Sequence, residues 1–538
     1  MYSRFSSCLG LFFREKLLLV CLACAVLLSL LGINWGVNEC WNLDQMGHLK
    51  LRNDFMPAHY LKPPLHTYLN HFLVLKPVKQ IMGGWFHITR EYQWPVALIA
   101  SRMLTLLLYC GFISAVYFSV KETCGRFAGF SLALVLATSA GILVFNRFLT
   151  ADSPLLFWMT ASLAFAVRAG LKNTTRDAVI AGLLAGLAAA DKYNGLGVAA
   201  AIPAALFCSQ GWRFIIKPAA WLAALSVPCG FIVGNPGAVL DSQRFVEDFL
   251  YNYVTTPVYD GQTQGTGYLK FFTCFPDIIG WPSTVALFLL TLTTFGIFVR
   301  RKLHKNELIL TAAALAVFGF YFVTIGKFPR MGTRFVLPAV PFAMLLASPA
   351  LARVDWRYRL PQVLMAVILA YNIYSSIDVG LRFASDPRMA ALAWVKSHVP
   401  KGSNFENSYA PSWQRMAGMN IKVETLPAAT GRTELFSKMF GDKKTVQTGL
   451  NRFEEKISAD TFSQEGLKLR NPDWIAFSTQ VFEWSGDDQA QSFYAALDHE
   501  AWGYKKVFEA HSRPRWPLAY PLEIDFIPDR LVILQHSE

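Results

Sequence analysis

Two apolar runs joined by a short polar turn decide the fold: AGFSLALVLATSAGILVF (128–145), NRFLTAD (146–152) and SPLLFWMTASLAFAVRA (153–169). A bilayer core of about 30 Å needs roughly 20 apolar residues in a helix. Every backbone N–H and C=O group must be hydrogen-bonded inside lipid, so apolar runs of this length predict membrane-spanning helices. The stretch therefore predicts two spans joined by a very short loop.

The same pattern recurs throughout the first 385 residues. Hydrophobic residues make up 53% of the 538-residue chain and charged residues only 16%, whereas soluble proteins carry about 25% charged residues. We predict a polytopic α-helical membrane protein with about eleven transmembrane helices. The predicted spans lie near residues 17–35, 97–119, 128–145, 153–169, 178–190, 195–208, 218–234, 283–299, 308–325, 335–351 and 360–379.

Basic residues predict the orientation of these spans, because cytoplasmic loops carry an excess of lysine and arginine. With the N-terminus in the cytoplasm, the strongly basic short loops all fall on the cytoplasmic side. They contain Lys121/Arg126, Lys172/Arg176, Arg213/Lys217, Arg300-Arg301-Lys302 and Arg353/Arg357/Arg359. An odd number of spans then places the loops 36–96 and 235–282 and the C-terminus on the outer side. The net charge of +13 follows from topology and contact with membrane lipids, and we expect no nucleic-acid partner.

The composition becomes that of a soluble domain at about residue 386. The segment DPRMAALAWVKSHVP (386–400) has helical spacing, and DWIAFS (473–478) and RLVILQ (530–535) are typical of short strands. We therefore predict a transmembrane domain at 1–385 and a soluble α/β domain at 386–538 on the outer, periplasmic side.

The nine cysteines predict neither a disulfide framework nor a zinc site. Most lie in or beside apolar runs, and Cys21 and Cys24, although spaced as CxxC, lie inside a predicted span. Packing of small apolar side chains explains them better. The sequence also has no glycine-rich nucleotide loop and no HExxH motif. We expect no cofactor, and the sequence leaves a divalent metal open.

Three carboxylates on the outer side are the predicted catalytic residues. Glu39 and Asp44 follow the first span, where either could act as a general base or simply belong to a solvated helix end. Asp152 stands where a span begins, either capping that helix or facing a cavity at membrane level.

Cationic and polar groups on the same side form a second set. Lys62 lies beside two prolines in YLKPPLH (60–66), where its ammonium group could bind a phosphate or reach lipid headgroups. Lys192, Lys270 and two arginines could form an anion site, although each alone is more often a headgroup contact. The predicted substrate-binding residues are Asn38, Lys62, His66, Arg147, Lys192, Lys270, Arg330 and Arg334.

Several segments, taken in order, resemble the GT-C superfamily of membrane glycosyltransferases, in particular bacterial relatives of protein O-mannosyltransferases and of the lipid A aminoarabinose transferase. The resemblance covers about residues 17–405. The segments that carry it are Asn38-Glu39, KPPL (62–65), Arg102, RFLTADSPLLFW (147–158), DKYNGL (191–196), GNPGAVLDSQRFVEDFLY (234–251), GYLKFFTCFPDIIGWP (267–282), TRFVLPAVPFAMLLAS (333–348) and DPRMAALAWVKSHVPKGS (386–403).

This resemblance implies a polyprenyl-phosphate sugar donor and a lipid, glycan or protein acceptor in a bacterial inner membrane. Basic side chains would neutralise the leaving phosphate, and a carboxylate would deprotonate the acceptor hydroxyl, which attacks C1 with inversion. Lys62 and Asp152 match the family's lysine and its second acidic position. The family usually has Asp-Glu where this chain has Asn38-Glu39. The base is then Glu39 or Asp44, unless the alignment slips or the activity is lost.

Two other functions are compatible with the sequence. A transporter or flippase of lipid-linked sugars would show repeated halves and broken helices near the membrane midplane, and we find no matching halves. A catalytically inactive relative that acts as an assembly partner is supported only by Asn38.

Overall fold

The computed structural model describes residues 15–37, 51–52, 55–57, 59–255, 266–328, 332–400, 402–407, 420–424, 462–478, 488–520 and 527–537. The chain divides into two compact units. The first comprises Met1–Ile33, Asp44–Gly380 and Arg515–Glu523, and the second comprises Asn34–Leu43, Leu381–Pro514 and Ile524–Glu538.

The described part of the first unit is mostly helical, as the apolar runs predict, with one isolated β-bridge between Leu51 and Pro57. Short helical turns follow α2 over residues 71–85, flank α8 over 193–200 and 211–216, and follow α15 over 337–339. The helices are α1 (Lys16–Leu30), α2 (Leu65–Asn70), α3 (Arg90–Cys124), α4 (Arg126–Thr138), α5 (Ala140–Asn146), α6 (Asp152–Lys172), α7 (Thr175–Asp191), α8 (Ala201–Gln210), α9 (Pro218–Gly234), α10 (Gly237–Leu240), α11 (Ser242–Thr255), α12 (Tyr268–Ile279), α13 (Trp281–Val299), α14 (Lys305–Ile325), α15 (Thr333–Val336), α16 (Val340–Leu346), α17 (Ser348–Leu351) and α18 (Arg359–Ala384).

Seven helical stretches in the described part of the chain are long and apolar enough to cross a membrane. They are Tyr92–Cys124, Asp152–Lys172, Tyr193–Ile216, Trp281–Val299, Lys305–Ile325, Thr333–Leu351 and Arg359–His398. The pair α4 and α5, bent by 61°, makes an eighth if it counts as one span. The remaining expected spans fall on α1 and α9, which are shorter apolar helices, and on α7. The polytopic helical fold predicted from the sequence is confirmed.

Close backbone contact between α7 and α9 organises the middle of this unit. A Cβ atom at Gly186 would overlap the carbonyl oxygen of Val227, and one at Gly230 would overlap that of Leu183. Small residues at four-residue spacing let two helix backbones approach in this way. The residues in question are Gly182 and Gly186 on α7 and Gly230 and Gly234 on α9. The contact sets the relative register of the two helices and therefore where their ends meet.

Two fully buried arginines bind the end of α1. The guanidinium of Arg147 donates to the carbonyl oxygens of Leu31 and Leu28, at 2.7 and 2.9 Å, and Arg102 donates to that of Ile33. The last carbonyl groups of a helix have no partner within it, and they attract cations through the helix dipole. The arginines thus determine where the chain leaves α1 before the loop 36–96.

The second unit contains a five-stranded sheet of order β2-β1-β3-β5-β4. Its strands are β1 (Asn404–Asn407), β2 (Asn420–Glu424), β3 (Trp474–Ser478), β4 (Tyr504–His511) and β5 (Arg530–His536), and its helices are α19 (Pro387–His398), α20 (Gln464–Arg470) and α21 (Asp488–Asp498). Strand β1 is parallel to β2 and β3, whereas β5 is antiparallel to β3 and β4.

Both faces of this sheet are covered, which explains why β3 is entirely buried. Trp474 and Ala476 lie in one apolar cluster together with Ala391 and Val395 of α19. Ile475 and Phe477 lie in a second cluster with residues of α20 and α21. Successive side chains of a strand point to opposite faces, so a continuous apolar strand needs a layer on each side. The predicted α/β character of the C-terminal region and its helix within 386–400 are confirmed.

Substituting Gly186 by alanine should destabilise the protein by about 1–3 kcal/mol, because the new methyl group forces α7 and α9 apart. The measurement is thermal unfolding in detergent. The matched control is Gly319→Ala in α14, where a Cβ atom meets nothing within 4 Å. Equal melting temperatures for both variants would contradict the close packing of the two helices.

Candidate active site

The carboxylate of Asp152 lies at the centre of the candidate site. It stands in the first turn of α6, 1% exposed, and no side-chain hydrogen bond caps this helix. Instead the ammonium group of Lys192 lies 2.7 Å from Oδ1, and Nε of Arg334 lies 2.8 Å from Oδ2. The carboxylate of Asp152 therefore pairs with two cations, an arrangement that the sequence had not indicated, and its role in catalysis stays a prediction.

The turn between α7 and α8 presents Lys192 to this carboxylate. Lys192 follows the last residue of α7 in an extended conformation, and its carbonyl oxygen accepts a hydrogen bond from Gly195 at 2.7 Å. A side chain at Gly195 would overlap the carbonyl oxygen of Ala188, so the turn requires glycine. The hydroxyl of Tyr321 donates to the carbonyl oxygen of Asn194 at 2.8 Å, which fixes the turn against α14.

A second segment, YLKPPLH (60–66), lies against the same turn. The hydroxyl of Tyr193 donates to the carbonyl oxygen of Tyr60 at 2.6 Å, and the backbone N–H of Tyr60 donates to Asp248 of α11 at 2.7 Å. Lys62 of this segment is half-buried and repels Lys192 electrostatically. The segment is thus held close enough for Lys62 to contribute to the positive electrostatic potential around Lys192.

His66 is the neutral member of the group. It lies fully buried in α2, and burial lowers its pKa to about 3, against a smaller opposing effect of the Asp152 carboxylate. An imidazole held in this state is uncharged at neutral pH and can offer one hydrogen-bond donor and one acceptor.

The other predicted residues lie in different surroundings. Arg147 binds carbonyl groups at the end of α1, as described above, and its assignment to substrate stays a prediction. Lys270 of α12 is exposed. The predicted residues Asn38, Glu39, Asp44 and Arg330 lie outside the described residues.

Two buried polar residues beside this group, Asp191 and Asn235, were not among the predicted site residues. Both lie in segments that carried the family resemblance, DKYNGL and GNPGAVLDSQRFVEDFLY. Their residue types alone could not identify them, because burial and hydrogen bonding depend on the tertiary structure.

The charges around Asp152 favour the binding of an anionic ligand. Lys62 and Arg334 both act electrostatically on Lys192, and these three cations outnumber the carboxyl groups of Asp152 and Asp191. Arginine and lysine are the side chains that most often bind phosphate oxygens. No cluster of three or more His, Cys, Asp or Glu side chains suited to a metal occurs within the described ranges.

Comparisons with known proteins give a family match and solved structures of similar fold. Residues 81–233 match the family described as dolichyl-phosphate-mannose-protein mannosyltransferase. The fold is similar to that of ArnT from Cupriavidus metallidurans, in its apo state (TM-score 0.52, 13% identity, 96% of this chain and 97% of that one) and bound to undecaprenyl phosphate (TM-score 0.50, 12% identity, 96% and 98%). Comparison with curated protein sequences gives no match.

Fold and family match together define an integral membrane protein with the architecture of a glycosyltransferase. The fold is similar to that of a GT-C membrane glycosyltransferase, and the family match over residues 81–233 agrees with it, so the resemblance seen in the sequence is confirmed.

His66 should make stability fall as the pH falls. Its folded pKa of about 3 is below its usual 6.5, so below pH 6.5 the unfolded chain binds a proton that the folded chain does not. The free energy of unfolding should therefore decrease by about 1.4 kcal/mol for each pH unit from 6.5 towards 3, and be unaffected above 6.5.

The measurement is thermal unfolding in detergent between pH 8 and pH 4.5, with wild type compared to His66→Gln. The variant should lose this part of the slope. The exposed His87→Gln serves as control and should follow wild type. Parallel profiles for wild type and His66→Gln would show that His66 is not held neutral.

Proposed function

We propose that the protein transfers a sugar from a polyprenyl-phosphate donor to an acceptor at the outer face of a bacterial inner membrane. The observation that carries the proposal is the buried Asp152 carboxylate, which holds Lys192 and Arg334 side by side at the ends of apolar helices. A donor whose lipid tail lies in the bilayer would present its phosphate at this level.

The leaving group is the polyprenyl phosphate. When the C1–O bond to phosphate breaks, the oxygen keeps the bonding electrons and its negative charge grows. Preorganised cations stabilise such a charge without reorganising at the moment of reaction. Lys192 and Arg334 are held by Asp152, with Lys62 nearby, so they are suited to this task. An ArnT structure contains undecaprenyl phosphate, a carrier of the class proposed here.

The second requirement is a base for the acceptor. Glu39 or Asp44, in the loop after α1, would take the proton from the acceptor hydroxyl. The resulting oxygen attacks C1 on the face opposite the phosphate, which inverts the configuration there. The acceptor is a lipid, glycan or protein hydroxyl, and the reaction needs no resident cofactor.

Arg334→Gln should weaken binding of undecaprenyl phosphate about tenfold or more, because a charged hydrogen bond is worth roughly 1.5–3 kcal/mol. Binding to the purified protein in lipid nanodiscs is measured by isothermal titration calorimetry.

The chain offers a closely matched control in Arg353→Gln. Arg353 binds a carboxylate in the same way, because Glu307 is buried, lies in the first turn of a helix and is 2.8 Å from Arg353. The side chains of Arg353 and Arg334 are similarly exposed, at 34% and 32%. Arg353→Gln should lose stability but keep the affinity. Equal affinities for both variants would contradict the phosphate site.

Transfer of labelled sugar from polyprenyl-phosphate donors to envelope extracts tests the base. Either Glu39→Gln or Asp44→Asn should lower the rate by about 10²–10⁴, the usual contribution of general base catalysis. Arg353→Gln is again the control. Full transfer by both carboxylate variants would reject the loop as the source of the base.

A further inference from the structure

Asp191 and Asn235 are fully buried polar side chains with unused hydrogen-bonding capacity. Neither carboxylate oxygen of Asp191 and neither amide atom of Asn235 has a hydrogen-bond partner among the described residues. Leaving a buried polar group unsatisfied costs about 1–3 kcal/mol, so such groups are rare unless they serve a ligand or ordered water.

The contact between α7 and α9 brings the C-terminal ends of these helices together. A Cβ atom at Gly234 would lie 2.5 Å from that of Ala190, Asp191 is the last residue of α7, and Asn235 directly follows α9. The same Cβ atom would lie 3.5 Å from the side chain of Leu65, the residue before His66. The ends of α7 and α9 and the start of α2 therefore meet at one place, and each contributes a buried polar side chain.

This place adjoins the proposed phosphate site. Asp191 interacts electrostatically with Asp152 and with Lys192, the residue that follows it in the chain. Lys192 is extended, whereas Asp191 ends the helix, so two neighbouring side chains leave the backbone in different directions. One of them is cationic and the other is an acceptor of hydrogen bonds.

The chemistry of the two residues selects the kind of ligand. Burial raises the pKa of the Asp191 carboxyl group, so this group can hold a proton and both donate and accept hydrogen bonds, as the carboxamide of Asn235 does. Neither group carries the positive charge that binds a phosphate. Hydroxyl groups of an uncharged ligand satisfy both, since each can donate to Asp191 and accept from Asn235.

Resting on the proposed function, we propose that Asp191 and Asn235 bind hydroxyl groups of the donor sugar while Lys192 and Arg334 bind its phosphate. The two parts of the donor are joined at C1, and the two sets of residues adjoin at the 191–192 peptide. Lys192 and Arg334 would thus form the part of the site that binds the phosphate, and Asp191 and Asn235 the part that binds the sugar. The selectivity of the protein among sugars would arise from Asp191 and Asn235.

The first test uses the full-length protein in nanodiscs. Dissociation constants are measured for bare undecaprenyl phosphate and for polyprenyl phosphates that carry mannose, glucose or arabinose. Wild type should bind at least one sugar-bearing lipid about tenfold more tightly than the bare phosphate, as one or two hydrogen bonds would provide. No preference for any of the three sugars over the bare lipid would overturn the inference. Failure to bind even the bare phosphate would instead reject the proposed function itself.

The second test uses Asp191→Leu and Asn235→Leu. Because each removes an unsatisfied buried polar group, both should keep or raise the melting temperature. Both should nevertheless abolish the preference for the sugar-bearing lipid, about a tenfold loss, while the affinity for bare undecaprenyl phosphate changes less than about twofold. If Asp191 and Asn235 had a purely structural role, the leucine variants would have lower melting temperatures and an intact sugar preference. The same result would follow if the two side chains only bound ordered water.

Asp177→Leu provides the matched control at the other end of α7. Asp177 is also buried, but it accepts a hydrogen bond of 2.7 Å from Thr174. Its variant should lose stability and retain the sugar preference. Asp191→Asn, which keeps the shape but replaces the carboxyl group with an amide, should lose part of the preference. An unchanged preference in Asp191→Asn and in both leucine variants would overturn the inference.

Discussion

The double ion pair of Asp152 with Lys192 and Arg334 is the interaction on which the rest of the site depends. Moving a carboxylate out of water costs several kcal/mol, and only well-placed partners offset this cost. The partners come from the turn after α7 and from the start of α15, so three separate parts of the chain must meet at the same depth. Once assembled, they present two cations whose own hydrogen bonds to Asp152 hold them in position.

The close contact of α7 and α9 determines which residues accompany this ion pair. Glycines at four-residue spacing let the backbones touch, and the register of that contact places the ends of both helices side by side. The positions of Asp191, Lys192 and Asn235 then follow, because these residues end or directly follow the two helices. Larger side chains in the contact would move all of them together, which links helix packing directly to the geometry of the site.

Polar burial has different outcomes in different parts of this chain. The guanidinium of Arg147 is as deeply buried as Asp191, yet it binds three carbonyl groups. The side chains of Asp191 and Asn235 have no hydrogen-bond partner among the described residues. Sites that bind ligands often carry destabilising groups of this kind, because the residues are selected for the bound state rather than for the free protein.

The sequence by itself determined the secondary structure and the class of protein. Lipid requires helices of a certain length, so apolar runs alone located the spans, and segments such as DWIAFS indicated short strands in a C-terminal α/β domain. That layers cover both faces of the sheet was shown only by the tertiary structure. Asp152, Lys192 and Arg334 were each candidates because polar groups are expensive at membrane depth. Their pairing was decided only by the tertiary structure, since the partners of Asp152 lie 40 and 182 residues away. For the same reason Arg147, five residues before Asp152, contacts α1 instead, and the unsatisfied pair Asp191 and Asn235 was invisible until burial was known.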